Sequence, residues 1–150
     1  MYRAKQISLD EINHARCYSS LTQYARLIRL SSPGTFVKIE LNERNDESQL
    51  LVFKRIFVCF PAMKIGFLKG CMPYLGLDGC HLKGPYGGVP LLAVSCDGNN
   101  CLFYVAYATV EVENKSCWRF YLHLCLGEGI HNTPLVIMSD QTKVPIWENF

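Results

Sequence analysis

Two aspartates in this 150-residue chain each follow an apolar segment that has the pattern of a β-strand. The residues YLGL precede Asp78, and the residues LVIMS precede Asp140. A carboxylate at the end of a buried strand is costly unless water reaches it or it binds a cation. Carboxylates on two neighbouring strands can hold the divalent ions that are used in phosphoryl transfer. Asp78 and Asp140 are therefore the candidate metal ligands and catalytic residues.

Both aspartates also have an ordinary structural interpretation. Asp78 precedes a glycine, and Asp-Gly is a common turn pair. Asp140 follows a serine, and Ser-Asp after a strand is a common start of a helix. The pattern alone leaves a metal site and a pair of turn residues open as alternatives.

The N-terminal part of the chain has the pattern of a helix, a hairpin and a second helix. Apolar residues recur at three- and four-residue steps over 8–30, as in an amphipathic helical region. Residues 35–41 alternate like a half-buried strand, and residues 49–59 are rich in β-branched and aromatic side chains. A proline favours the start of a short helix over 61–68 that ends near Gly70. We interpret residues 1–70 as a segment that precedes the core.

Residues 71–150 have the pattern of a mixed α/β sheet. The predicted elements are strands over 74–79, 88–95 and 102–111, a helix that begins at 115 and stops near 127, and a strand over 135–138. The residues DGNN at 97–100 suit a tight hairpin between the second and third strands. This order predicts an antiparallel three-strand meander, a crossover helix and a parallel fourth strand. Because the sequence continues only briefly after Asp140, we expect the sheet to be incomplete at the C-terminus.

Composition limits the classes to which the protein can belong. A length of 150 residues suits one domain, and 49% hydrophobic with 19% charged residues excludes a disordered chain. The net charge of +2 is too small for a strongly basic nucleic-acid-binding domain. The apolar runs are much shorter than the roughly 20 residues that cross a bilayer, so we expect no membrane partner.

Eight cysteines raise the questions of disulfides and of zinc. No charged-then-apolar signal segment follows Met1, so we expect reduced thiols in a nuclear or cytosolic protein. The cysteines form no CxxC pair, and the scattered group Cys80, His81, Cys96 and Cys101 lacks the spacing of a zinc site. We therefore expect no zinc.

Several short sequence motifs occur in the same order as in the plant Mutator-like (MULE) transposase domain, which they resemble. They are GFLKGCMP at 66–73, GLDGCHLKG at 76–84, DGNN at 97–100, AYATVEVE at 106–113, SCWRF at 116–120 and IMSD at 137–140. The word YRAK at 2–5 is similar to the segment that precedes that domain. The chain therefore resembles a MULE transposase over most of its length.

This resemblance implies a ribonuclease-H-like core that cleaves DNA and transfers its strands with three acids and Mg²⁺ or Mn²⁺. Asp78 matches the first catalytic Asp, and Asp140 matches the second. The third acid of the family is a Glu on a helix further downstream. Glu148 is the only side-chain carboxylate after Asp140, and Pro145 disfavours a continuous helix to it. We assign no third acid to Glu148 and expect this fragment to be inactive alone.

The resemblance also implies the nucleus as the location and DNA at transposon ends as the partner. The modest net charge predicts weak DNA binding by this fragment. A sheet without its last helices would expose apolar surface, which favours a homo-oligomer. The alternative function is a domesticated nuclear module that contacts DNA or protein without catalysis.

Other polar residues near the candidate acids have both a functional and an ordinary interpretation. Glu111 and Glu113 could lend a carboxylate to a metal, or could lie before a helix as favourable N-terminal charges. His81 could face the site or be solvated, and Trp118 is expected to pack against the sheet. The basic residues that could contact DNA phosphates, or be solvated, are Lys64, Lys69, Lys83, Lys115 and Arg119.

Overall fold

A computed structural model describes residues 20–42, 53–80, 82, 87–127 and 134–140 of the chain. These residues form an α/β fold with one six-stranded mixed sheet and three helices. The strands are β1 (Phe36–Leu41), β2 (Phe53–Cys59), β3 (Tyr74–Gly79), β4 (Val89–Cys96), β5 (Leu102–Val110) and β6 (Val136–Ser139). The helices are α1, described over 20–31, α2 (Pro61–Gly70) and α3 (Lys115–Gly127).

The order of strands across the sheet is β1-β2-β5-β4-β3-β6. Strands β3, β4 and β5 form an antiparallel meander, and β6 lies beside β3 and parallel to it. The predicted meander and parallel fourth strand are therefore confirmed. The β1–β2 hairpin extends this sheet because β2 pairs antiparallel with β5.

The larger core lies on the face of the sheet that α3 covers. Trp118 and Tyr121 of α3 contact each other edge to face, with ring centroids 5.7 Å apart. Tyr121 also contacts Phe57 of β2, with centroids 5.5 Å apart. Phe67 of α2 belongs to the same core. The prediction that Trp118 packs against the sheet is confirmed, since its side chain is buried among these residues.

The opposite face of the sheet is covered by α1 at one edge and is exposed at the other. Ala25 and Ile28 of α1 pack with Val37 of β1 and with apolar residues of β2. At the far edge, Val136 and Met138 of β6 are 61% and 58% exposed. Apolar surface is thus exposed at the β6 end of this face, as the sequence analysis expected.

Several predictions fall partly or wholly outside the described residues. The predicted helical region 8–30 overlaps a helix over 20–31, and residues 1–19 lie outside the described part. The predicted strand 49–59 overlaps β2, and residues 49–52 lie outside the described part. The division of the chain at residue 70 stays a prediction. No disulfide bond joins the cysteines in the described part of the chain. In the described residues, no helix has the length and apolar character needed to cross a membrane.

Candidate metal site

The parallel pairing of β3 with β6 determines where the two candidate aspartates lie. Leu77 of β3 is opposite Ser139 of β6. Asp78 and Asp140 are the next residue of each chain segment, so the same register places them side by side. Neighbouring strands are about 4.8 Å apart, which lets two carboxylates reach a shared cation. The sequence predicted both residues, and the strand pairing brings them together.

Alternation along the two strands directs both aspartates to the same face of the sheet. Leu75 and Leu77 are buried in the larger core, so Asp78 points to the opposite face. Ile137 packs against that same core, so alternation directs Asp140 to the face of Asp78. Both aspartates are exposed, which keeps the cost of desolvating their charges small.

One oxygen of Asp78 is held by the end of its own strand. Its Oδ1 accepts a hydrogen bond from the backbone N–H of Gly79, at 2.9 Å. This bond goes to the next residue, unlike the Asx-turn bond of turn aspartates, which goes to the residue two positions on. Asp78 and Gly79 both pair with β4 as strand residues, so the interpretation of Asp78 as a turn residue is wrong. The hydrogen bond involves Oδ1 and is compatible with a cation at Oδ2.

Glu113 approaches this end of β3 from the other face of the sheet. A Cβ atom placed on Gly79 would lie 2.9 Å from Oε1 and 3.0 Å from Cδ of Glu113, so the carboxylate rests directly on the glycine. Oε1 also accepts a hydrogen bond from the indole Nε1 of Trp118, at 3.3 Å. Gly79 faces the core, whereas Asp78 faces away from it. The contacts of Glu113 favour a structural role over a role as a ligand of the same ion.

The donor set at this site is a pair of carboxylates. Among the described residues, no group of three or more His, Cys, Asp or Glu side chains is placed to hold one metal ion. His81 and Glu148 lie outside the described residues. Mg²⁺ commonly binds through one or two carboxylates and keeps several waters, so Asp78 and Asp140 fit it chemically.

The basic residues named from the sequence lie on different elements, and Lys115 begins α3. Lys64 and Lys69 lie on α2, and Arg119 lies on α3. Lys83 lies outside the described residues. Arg119 lines a cleft together with Lys38 and other polar side chains that the sequence analysis missed. The available signal was the alternation of β1, which directs Lys38 to the face opposite its apolar neighbours.

Comparison of the chain with models of known protein families, with curated proteins and with solved structures gives no match. The resemblance to MULE transposases therefore rests on the short sequence motifs alone. The established description is an α/β fold with a mixed sheet, and a ribonuclease-H-like core stays a prediction.

Proposed function

We propose that this chain is a transposase-derived core of the MULE kind that binds Mg²⁺ or Mn²⁺ through Asp78 and Asp140. The observation that carries the proposal is the parallel pairing of β3 with β6, whose register places the two carboxylates side by side. The meander followed by a helix and a parallel strand also supports it, because a ribonuclease-H-like core requires that order. The short sequence motifs and their order give independent support to this proposal.

The roles of the two aspartates follow from their position. Both are exposed on one face of the sheet, where a DNA phosphate can approach them without a rearrangement of the core. When bound, a divalent ion supplies positive charge that stabilises the attacking and leaving oxygens of phosphodiester cleavage. The proposal is therefore metal binding by two of the three acids that the resemblance implies.

The second candidate function is a nuclear module that makes contacts without catalysis. It is favoured by the exposed apolar side chains of Val136 and Met138, which lie on the face that carries the aspartates. A contact with another protein at this face needs no metal. Metal binding therefore separates the two candidates.

The test is a calorimetric titration of Mn²⁺ and Mg²⁺ into the chain and into Asp78→Asn and Asp140→Asn variants. Asparagine keeps the size of each side chain and removes its charge. We expect either substitution to weaken Mn²⁺ binding by roughly tenfold or more, because each removes half of the charged donor set. The matched control is Glu40→Gln, which removes a carboxylate on β1, far across the sheet from β3, and should leave Mn²⁺ binding unchanged.

Line broadening by Mn²⁺ in amide NMR spectra would locate the ion. We expect the first signals to broaden to be those of Gly79 and Ser139, which adjoin the two aspartates. Equal Mn²⁺ binding by the chain and both Asn variants would contradict the metal site and favour the non-catalytic module.

A further inference from the structure

A cleft of about 640 Å³ opens between the β1–β2 hairpin and α3. Its polar lining comes from three elements. β1 contributes Lys38 and Glu40, β2 contributes Arg55, and α3 contributes Arg119 and His123. This volume is within the range of about 300–1,000 Å³ that is typical of small-ligand sites.

Positive charge exceeds negative charge in this cleft. Arg55 uses Nε to donate to Oε2 of Glu40, at 2.6 Å, so the carboxylate in the lining is already neutralised. Lys38 and Arg119 form no ion pair with any described residue. Their charges, together with the imidazole of His123, are available to a ligand that carries negative charge.

Arg55 forms the floor of the cleft and is held in one position. Its side chain is only 9% exposed, and Nη1 donates to the backbone carbonyl of Ser116, at 3.3 Å. The guanidinium carbon lies 4.3 Å from the centroid of the Phe120 ring. Burial opposes the charge, but the hydrogen bond and attraction of Glu40 outweigh it, so the pKa of Arg55 is raised. Arg55 is therefore held in place by protein contacts, and Lys38 and Arg119 are the charges that the cleft offers to a ligand.

We propose that this cleft binds a phosphate group, with Arg55 at the floor of the cleft and Lys38 and Arg119 at its rim. The phosphate can come from the backbone of a nucleic acid or from a small phosphorylated molecule, since both present the same oxygens. The choice of DNA as the first probe rests on the proposed function, whereas the phosphate site itself rests on the lining of the cleft.

The cleft is separate from the candidate metal site. Arg55 and Lys38 point to the α3 face of the sheet, whereas Asp78 and Asp140 point to the opposite face. Strands β5 and β4 lie between β2 and β3, which makes three strand spacings, or about 14 Å. A substitution in one site should therefore leave the other site unchanged.

The test is the fluorescence anisotropy of a labelled single-stranded oligonucleotide at low salt. A Lys38→Ala, Arg119→Ala double variant removes two exposed charges from the rim. A Lys64→Ala, Lys69→Ala double variant removes the same charge from α2, outside the cleft. We expect roughly tenfold weaker binding by the first variant and less than about twofold by the second. Equal losses in both variants, or no loss in the first, would overturn the proposal.

Two further measurements identify the source of the phosphate and separate the two sites. Displacement of the oligonucleotide by inorganic phosphate, beyond the effect of chloride at equal ionic strength, would identify a free phosphate ligand. Displacement by ionic strength alone, with the loss confined to the rim variant, would identify the nucleic-acid backbone. Mn²⁺ titration of the rim variant should match that of the original chain, so failure of either site is visible on its own.

Discussion

Arg55 and Glu40 are direct partners across the β1–β2 hairpin, and their side chains form an ion pair with an Nε to Oε2 distance of 2.6 Å. The arginine is 9% exposed and the glutamate 32% exposed. One charge is thus nearly buried, while the other still contacts water. The pair lies where the hairpin meets α3, because Arg55 also reaches the backbone of Ser116.

Removal of the Glu40 carboxylate should destabilise the fold. A Glu40→Ala variant leaves the guanidinium of Arg55 nearly buried without its acceptor, and we expect the free energy of unfolding to fall by about 1–2 kcal/mol. Urea unfolding followed by circular dichroism measures the change. Lys38→Ala, on the same strand and exposed, is the control. A loss no larger than that of the control would show that water replaces the carboxylate.

The hydroxyl of Tyr121 should contribute to stability through one buried hydrogen bond. It donates to the backbone carbonyl of Ala106 at 2.9 Å, and the Tyr121 side chain is fully buried. Tyr121→Phe keeps the ring and leaves the carbonyl without this donor, which should cost about 1–2 kcal/mol of unfolding free energy. Tyr104→Phe, at a residue that is 50% exposed, should change the same free energy little. Equal effects of the two substitutions would contradict this assignment.

The buried thiol of Cys125 should make the stability of the fold decrease at high pH. Burial raises the pKa of the Cys125 thiol from 9.0 to about 12, and the charge of Cys59 adds to the rise. The unfolded chain releases this proton near pH 9, whereas the folded chain keeps it. Stability is therefore fully present below about pH 9 and is lost toward about pH 12, by about 1.4 kcal/mol per pH unit. Burial also raises the pKa of Tyr121, and its effect has the same sign.

A Cys125→Ala variant isolates the contribution of this thiol. Urea unfolding under reducing conditions, at about pH 8 and about pH 10, should show a loss of stability that is about 1 kcal/mol smaller in the variant. Cys101→Ala, which removes an exposed thiol, should keep the full loss. An identical loss in the chain and in Cys125→Ala would mean that Cys125 ionises equally in both states.

Much of the fold follows from local patterns in the sequence. The tight turn after β4 follows from short-range hydrogen bonds. Oδ1 of Asp97 accepts from the backbone N–H groups of Asn99 and Cys101, at 2.8 and 2.9 Å. Asn100 has a φ of 62°, which asparagine tolerates better than most residues. These features involve residues close in sequence, so the sequence predicts them.

Features that depend on distant residues could not be predicted in the same way. The pairing of β2 with β5 and the ion pair of Arg55 depend on which strands become neighbours. The sequence around Arg55 reads as an ordinary strand and does not indicate a cleft. The candidate aspartates were found because each ends a local apolar run, but the contact of Glu113 with Gly79 needed the packed structure.

An added methyl group at position 79 should disturb the contact with Glu113. In Gly79→Ala, the new Cβ would lie 2.9 Å from Oε1, so the carboxylate must shift, which disturbs the hydrogen bond that it accepts from the indole of Trp118. We expect a loss of about 1 kcal/mol of unfolding free energy. The same substitution in a Glu113→Ala background should cost less, with a coupling energy of at least about 0.5 kcal/mol. Additive losses would show that the two residues do not interact.

The contact between Gly79 and Glu113 has a consequence for natural sequence variation. A residue larger than glycine at 79 requires a shorter or displaced side chain at 113, so the two positions are expected to change together among related chains. Glu113 lies near Asp78 in space, because its carboxylate contacts the adjoining Gly79. Its persistence beside the aspartates would record a packing constraint and would not by itself identify Glu113 as a metal ligand.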